Sequence, residues 1–322
     1  MRKIFLFSAV LFFLMSCDSK PGKRILVDSS GRMNHILVVI NNDDWQGEVG
    51  DAIRNTLAID VIGLPQSEPL FHLNQISPKG FTSFLTSNRN IIFIEYGAEN
   101  SFKIKQNIYA KPQKAVHIKA ENKEELIKLI DNNKTEIINT IRNSDLKVYQ
   151  KKHLRKHYDT KSSPFLSELK IDLKIPFAYE KSQDTKDYLW YVKDIPEGYQ
   201  NILIYTVPIN SLADENGENI IETRDLKGPY IPGAKEGMYM ITEKAFTPQH
   251  IETKLDGKKT YETRGTWEMK GDYMAGPFLN YTIVDKKNNR LIVIEGFTYA
   301  PNIKKRNYMF ELEAILKTIK VE

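Results

Sequence analysis

His35-Ile-Leu-Val-Val-Ile-Asn-Asn-Asp-Asp44 decides the class of the fold. Its first six residues form a short, continuous, β-branched apolar run, the pattern of a buried strand. The side-chain oxygens of residues 41–44 then supply N-cap chemistry. Trp45, Val49, Ile53 and Leu57 follow at helical spacing, which predicts a helix over 44–58 with one apolar face. A strand feeding an amphipathic helix recurs outward from here. Residues 70–76 alternate weakly as a strand, and Ser77-Pro78 opens a short helix through 85. Ile91–Ile94 and Ala115–Ile118 read as second and third buried strands. Leu126, Ile130, Ile137 and Ile141 share one face of a helix predicted over 124–141, and Ser144 is placed to cap a further helix to about 158. The class is α+β.

The second half echoes this order. Leu57–Val61 ending at Pro65 compares with Leu169–Leu173 ending at Pro176, and Phe71–Ile76 with Trp190–Ile195. Arg89–Ile94 compares with Gln200–Tyr205. Each half then closes with a strand and a long helix; in the second these are Leu291–Ile294 and a helix over 304–319. The echo reads either as an internal duplication, two similar α/β units packed together, or as chance likeness between short apolar runs. The second half also carries a stretch over 211–281 rich in Gly and Pro, expected to be an insert of hairpins and loops with little helix.

The chain begins with two cations, Arg2 and Lys3, and an apolar run from Ile4 to Leu14. That is the form of a signal peptide, too short for a lasting membrane span of roughly twenty residues. Leu14-Met15-Ser16-Cys17 resembles the lipobox of bacterial lipoproteins, which implies a diacylglycerol on the Cys17 sulfur and anchoring to a membrane through it. Cys17 is the one cysteine of the chain, so no disulfide is expected. The expected organisation is a signal peptide over 1–16, a lipidated tether over 17–30, an N-terminal α+β unit over 31–145 and a C-terminal α+β unit over 146–322 with the insert at 211–281. The residues after Cys17 lack an acidic cluster, which favours a periplasm-facing position. Without Arg2 and Lys3 the formal charge falls from +5 to +3. Cations and carboxylates are interleaved, so no nucleic-acid surface is expected.

Within the insert, Glu222-Thr-Arg224-Asp225 is echoed by Glu262-Thr-Arg264-Gly265, which leads to Trp267-Glu268 and Gly271-Asp272. Arg264, Glu268 and Asp272 are spaced by four, and loops can bring them to Arg224 and Asp225. Neighbouring carboxylates with separated pKa values act as acid and base; the aromatic residues offer flat faces for a sugar or peptide. The alternative is that Arg264 pairs with Glu268 or Asp272 and holds the glycine-rich loops in place. The stretch Arg264–Phe278 resembles the bacterial lipoprotein family described as domain of unknown function 4837, as do Pro65–Phe71, Arg224-Asp225, Tyr230–Gly233 and Glu295-Gly-Phe297. The resemblance supports the lipoprotein reading and implies no activity, cofactor or ligand.

His153 and His157 stand four apart on an expected helix, a spacing that can seat a metal, but flanking Lys151, Lys152, Arg155 and Lys156 disfavour a cation and no metal is expected. The same basic run reads as a solvated face or as a contact for anionic lipid. Phosphate-loop, dinucleotide and nucleophile-elbow patterns are absent from the sequence. The function expected is a membrane-anchored envelope protein that binds a protein or glycan partner without catalysis, with Arg224, Asp225, Arg264, Trp267, Glu268 and Asp272 near the contact surface. The alternative is a hydrolase of envelope glycan or peptide, with Glu268 or Asp272 as acid or base.

Overall fold

The structure, a computed structural model, describes residues 25–212 and 218–322. The signal peptide over 1–16, Cys17, the tether as far as residue 24, and residues 213–217 of the expected insert lie outside them.

The fold is α+β, built on two different sheets. In the N-terminal half, β1 (His35–Val39), β2 (His72–Ile76), β3 (Asn90–Tyr96), β4 (Ser101–Gln106) and β5 (Lys114–Ala120) form one sheet in the order β2-β1-β3-β5-β4. All neighbours are parallel except β4, which runs antiparallel to β5. Helices α1 (Glu48–Leu57), α2 (Lys123–Asn132) and α3 (Lys134–His153) cover one face. There Val38, Ile92 and Val116 meet Val49, Ile53, Leu126 and Ile141 in a dry core. The opposite face carries a smaller cluster around Phe93.

Two expected helices divide. The one over 44–58 breaks at Gly47 into Asn42–Gln46 and α1. A Cβ on Gly50 would lie 1.9 Å from the Trp45 carbonyl oxygen, so the two pieces meet more closely than one straight helix allows. The one over 124–141 breaks at Asn133 rather than Ser144. Asn133 turns its side chain onto the Leu129 carbonyl, and α3 continues unbroken through 145–146 to His153.

The C-terminal half holds β6 (Glu180–Asp184), β7 (Tyr188–Ile195), β8 (Gly198–Pro208), α4 (Glu218–Leu226), β9 (Met240–Thr242), β10 (Gln249–Leu255), β11 (Lys258–Met269), β12 (Ala275–Asp285), β13 (Arg290–Tyr299) and α5 (Arg306–Leu316). The strands form an eight-stranded sheet in the order β9-β11-β12-β13-β8-β7-β6, with β10 also on β11. Every pairing is antiparallel. The two halves are therefore not copies: Arg89–Ile94 belongs to a parallel ladder and Gln200–Tyr205 to an antiparallel one. The stretch 211–281 does form hairpins, β10 with β11 and β11 with β12, but they belong to the main sheet rather than standing outside it. It contains α4 and supplies β9, β10, β11 and most of β12 to the middle and edge of the sheet. Two of its glycines, Gly265 and Gly276, stand in strands because neighbours take the space a side chain would fill: the Phe278 ring at Gly265, and the Thr298 carbonyl, 2.0 Å from a Cβ built on Gly276.

Alternation along these strands gives the sheet two apolar faces. Ile204, Leu279, Tyr281 and Ile294 pack on Leu312, Ile315 and Leu316 of α5. Leu203, Tyr205, Trp267, Phe278 and Phe297 face the other way, toward Ile231 and Met240. Gly296 lets α5 approach, since a Cβ there would lie 2.9 Å from Leu312 Cβ.

The two halves meet around α5. Glu313, on its otherwise apolar face, is 1% exposed. It accepts from Arg142 of α3, from Arg264 of β11 at 2.8 Å and from Lys317 at 2.7 Å. Burial alone raises a carboxyl pKa; here Arg142, Arg264 and Lys317 outweigh it and hold Glu313 well below the ordinary carboxylate range. At the other end of α5, Glu68 of the N-terminal half accepts from the backbone amides of Lys305 and Arg306 at 2.5 and 3.2 Å. A carboxylate there satisfies first-turn donors and complements the helix dipole.

Replacing Glu313 by Gln leaves Arg142 and Arg264 without their shared carboxylate. The expected loss is about 3–5 kcal/mol in urea unfolding at neutral pH. The folded pKa of Glu313 lies below its unfolded value, so its contribution is complete above the ordinary value of about 4.3 and fades as pH falls below it. The gap between wild type and Glu313→Gln should narrow from pH 7 to below about pH 4. A gap constant over that range would assign the effect to shape rather than charge.

Candidate functional site

The stretch Arg264–Phe278 builds strand, turn and strand, and alternation sends its residues to different places. Arg264 points to the α5 face, donating to Glu262 at 2.7 Å and to Glu313. Burial works against its charge, but Glu313 and Glu262 raise its pKa beyond the usual arginine value. The next residue, Gly265, leaves room for the Phe278 ring on the opposite face. The Arg224 guanidinium carbon lies 4.0 Å from the centre of that ring. Arg224 is 3% exposed and grips Glu295 through Nε and Nη2 at 2.8–3.1 Å, while its Nη1 donates to Thr242 at 3.0 Å. Asn280 Nδ2 completes Glu295 at 2.9 Å. Asp225 accepts from the amide and hydroxyl of Thr242 at 2.8 and 2.7 Å, tying α4 to β9. Arg224, Asp225 and Arg264 are thus engaged in ion pairs or hydrogen bonds, with Arg264 and Arg224 on opposite faces of one sheet.

Trp267 is 2% exposed; its indole N–H reaches the Thr298 carbonyl at 3.3 Å. Its ring forms part of the wall of a groove of about 270 Å³. Trp190, Tyr199, Phe297 and Tyr299 supply the other aromatic walls, Met269 and Met274 the flexible ones. The loop from Ile231 to Ala234 closes one side. Trp190 is fixed by its N–H on Asn201 Oδ1 at 3.0 Å, whereas Tyr199 is 46% exposed.

Glu268 and Asp272 line a shallow hollow of about 400 Å³ next door, and Met269 lines both concavities. Glu268 hydrogen-bonds Glu243, which together with burial raises its pKa, while the Ala245 amide and Glu268 lower that of Glu243. Asp272 accepts from the Tyr273 amide at 2.7 Å within its own turn. The structure thus brings Trp267, Glu268 and Asp272 to adjoining concavities and holds Arg224, Asp225 and Arg264 apart from them.

α3 ends at His153, so His153 and His157 do not share a helix; His153 stacks on Tyr149 and His157 Nδ1 meets the Tyr158 carbonyl oxygen. Among the described residues no group of three or more His, Cys, Asp or Glu is placed to hold a metal. A further open crevice of about 680 Å³ lies at the carboxyl ends of β1, β2 and β3, the end where open α/β sheets bind ligands. There the Tyr96 hydroxyl donates to Asp44 at 2.7 Å, and burial with that carboxylate pushes its pKa up to about 12. The groove residues Trp190 and Tyr199 escaped sequence reasoning: Trp190 reads as an ordinary strand residue, and Tyr199 lies between two apolar runs with no pattern to single it out.

Residues 158–318, half of the chain, match the family described as Domain of unknown function (DUF4837). The chain belongs to that family. Its N-terminal half, residues 29–153, matches a second, Domain of unknown function (DUF8532). No curated protein matches. Among solved structures, the Ran-binding protein Mog1p of Saccharomyces cerevisiae is similar with a TM-score of 0.32 and 9% identity, covering 47% of this chain and 89% of that one. LpqN of Mycobacterium tuberculosis, involved in cell envelope biogenesis, is similar with a TM-score of 0.29 and 14% identity, covering 47% and 82%. The DUF4837 match contains the groove, the Arg224–Glu295 pair and Glu313.

Arg224→Ala strands Glu295 in the sheet and is expected to cost about 3–5 kcal/mol. Arg224→Met combined with Glu295→Gln should cost less than the two single changes added together, read as a coupling energy in a urea-unfolding cycle. Strict additivity would show that the two side chains do not act as a pair.

Proposed function

We propose that this chain is a lipid-anchored envelope protein, held to a periplasm-facing membrane surface through Cys17, that binds a partner without catalysis. The groove between the Ile231–Ala234 loop and β7, β8, β11 and β13 carries the reading. Aromatic rings and methionines in a preformed concavity are the usual anchors of an interface. At about 270 Å³ it lies just below the range of sites for whole drug-sized molecules, roughly 300–1,000 Å³, and suits one apolar group presented by a larger protein or glycan. The polar remainder of that partner then lies over Glu268 and Asp272, because Met269 joins the two concavities.

A binding role also agrees with the state of the acids. A general acid is expected to be set by desolvation in a closed cleft. Glu268 is shifted first by Glu243, at an open surface. Among the described residues no helix is long and apolar enough to cross a membrane.

Two outcomes test this reading. Wild-type chain should incorporate labelled palmitate and partition with detergent, and Cys17→Ser should lose both; retention of label by the variant removes the anchor. A benzoylphenylalanine at position 199 should give discrete adducts in native envelopes, weakened about thirtyfold in apparent affinity by Trp190→Ala. The same probe at position 84, exposed on the other half, should be indifferent to Trp190. Equal adducts from both positions would take the groove out of the interface.

A further inference from the structure

Another concavity is built from charge rather than rings. Val27 and Asp28 pair in parallel with Ala110 and Lys111, which pins the start of the described chain against the N-terminal half. Between this pair, the start of β5 and the flank of α3 lies a cavity of about 550 Å³. Lys111, Lys114, Lys147 and Lys151 line it, and Asp28 is the one carboxylate among its lining residues. Lys147 and Lys151 stand one turn apart on α3 and face Lys111 and Lys114 across the opening. Among the described residues, none of the four ammonium groups has a salt bridge. Thr140, Asn143 and Ser144 of α3 also line the cavity, and their side chains make no hydrogen bond to another described residue.

We propose that this cavity is a binding site for a phosphate group, carried by a soluble phosphate compound or by a phospholipid head group. Four like charges held together repel one another, and a multiply charged anion relieves that repulsion. Burial first, and then Lys147, already holds the Lys114 ammonium below its ordinary pKa. Lysine binds phosphate as a point charge, whereas carboxylates are matched by the planar fork of arginine, and no arginine lines the cavity. The free amide and hydroxyl groups on α3 supply further donors. The head-group source rests on the anchor proposed at Cys17. Asp28 follows Cys17 by eleven residues, and at roughly 3.3–3.6 Å per residue the rim lies within about 40 Å of the lipid. Of the basic run 151–156, Lys151 is the member that lines the cavity.

Lysine footprinting on the purified full chain in non-ionic detergent tests the site. The chain is acetylated alone, with pyrophosphate, and in micelles doped with phosphatidylglycerol or with phosphatidylcholine. A bound anion raises the pKa of Lys114 and shields the neighbouring ammonium groups, and a rise of one unit slows acetylation about tenfold. Lys286 and Lys287, exposed in the other half, should react unchanged. Slowing by pyrophosphate identifies a soluble-phosphate site; slowing by phosphatidylglycerol alone identifies a head-group site. The pair Lys114→Gln and Lys147→Gln should abolish the slowing at Lys111 and Lys151. Absence of slowing under both anions, or equal slowing of Lys286 and Lys287, overturns the proposal on wild-type chain alone. Neither readout depends on the aromatic groove.

Discussion

One buried carboxylate holds the molecule together. Glu313 lies on the apolar face of α5, and ionised carboxylates pay several kcal/mol of desolvation there. It remains charged because cations come to it from three directions: α3, β11 and the end of its own helix. Each of those elements must therefore be in place at once. The N-terminal helices, the large sheet and α5 are tied to one another through that charge.

The same logic operates on the far face of the sheet. Arg224 and Glu295 are buried together, with Phe278 beneath the guanidinium and Asn280 on the carboxylate. Charged pairs on both faces pin β11, β12 and β13 between α5 and α4. What α4 and the loop beyond it leave uncovered is the aromatic groove, two of whose strands, β11 and β13, are clamped from both sides. Buried polar networks of this kind specify one arrangement when every member is satisfied.

Much of the framework was legible in the sequence. Ile91–Ile94, Ala115–Ile118 and Leu291–Ile294 announced their strands through β-branched runs, and the α5 face followed from Met309, Leu312, Ile315 and Leu316. Strand direction was not legible, because a short apolar run looks the same in a parallel and an antiparallel ladder; the apparent duplication arose from that ambiguity. Two glycines of 211–281 misled for another reason. Glycine signals a turn locally, but at Gly265 and Gly276 it answers a tertiary demand for space, which pattern cannot display. Of the candidate site, the Arg264 stretch was visible as unusual, yet its partner Glu313, and Arg142 that shares that carboxylate, lie 49 and 122 residues away. The one local sign was a carboxylate interrupting the apolar face of α5.

The cap that Glu68 places on α5 has an evolutionary side. Two family matches, 29–153 and 158–318, divide the chain as though its halves were separable modules. Yet the second half starts its last helix on a side chain owned by the first, and the first returns Arg142 to a carboxylate owned by the second. Recombination that gave either half a new companion would strand both debts together. A substitution at Glu68 is felt 237 positions away at Lys305, and one at Glu313 is felt 171 positions away at Arg142.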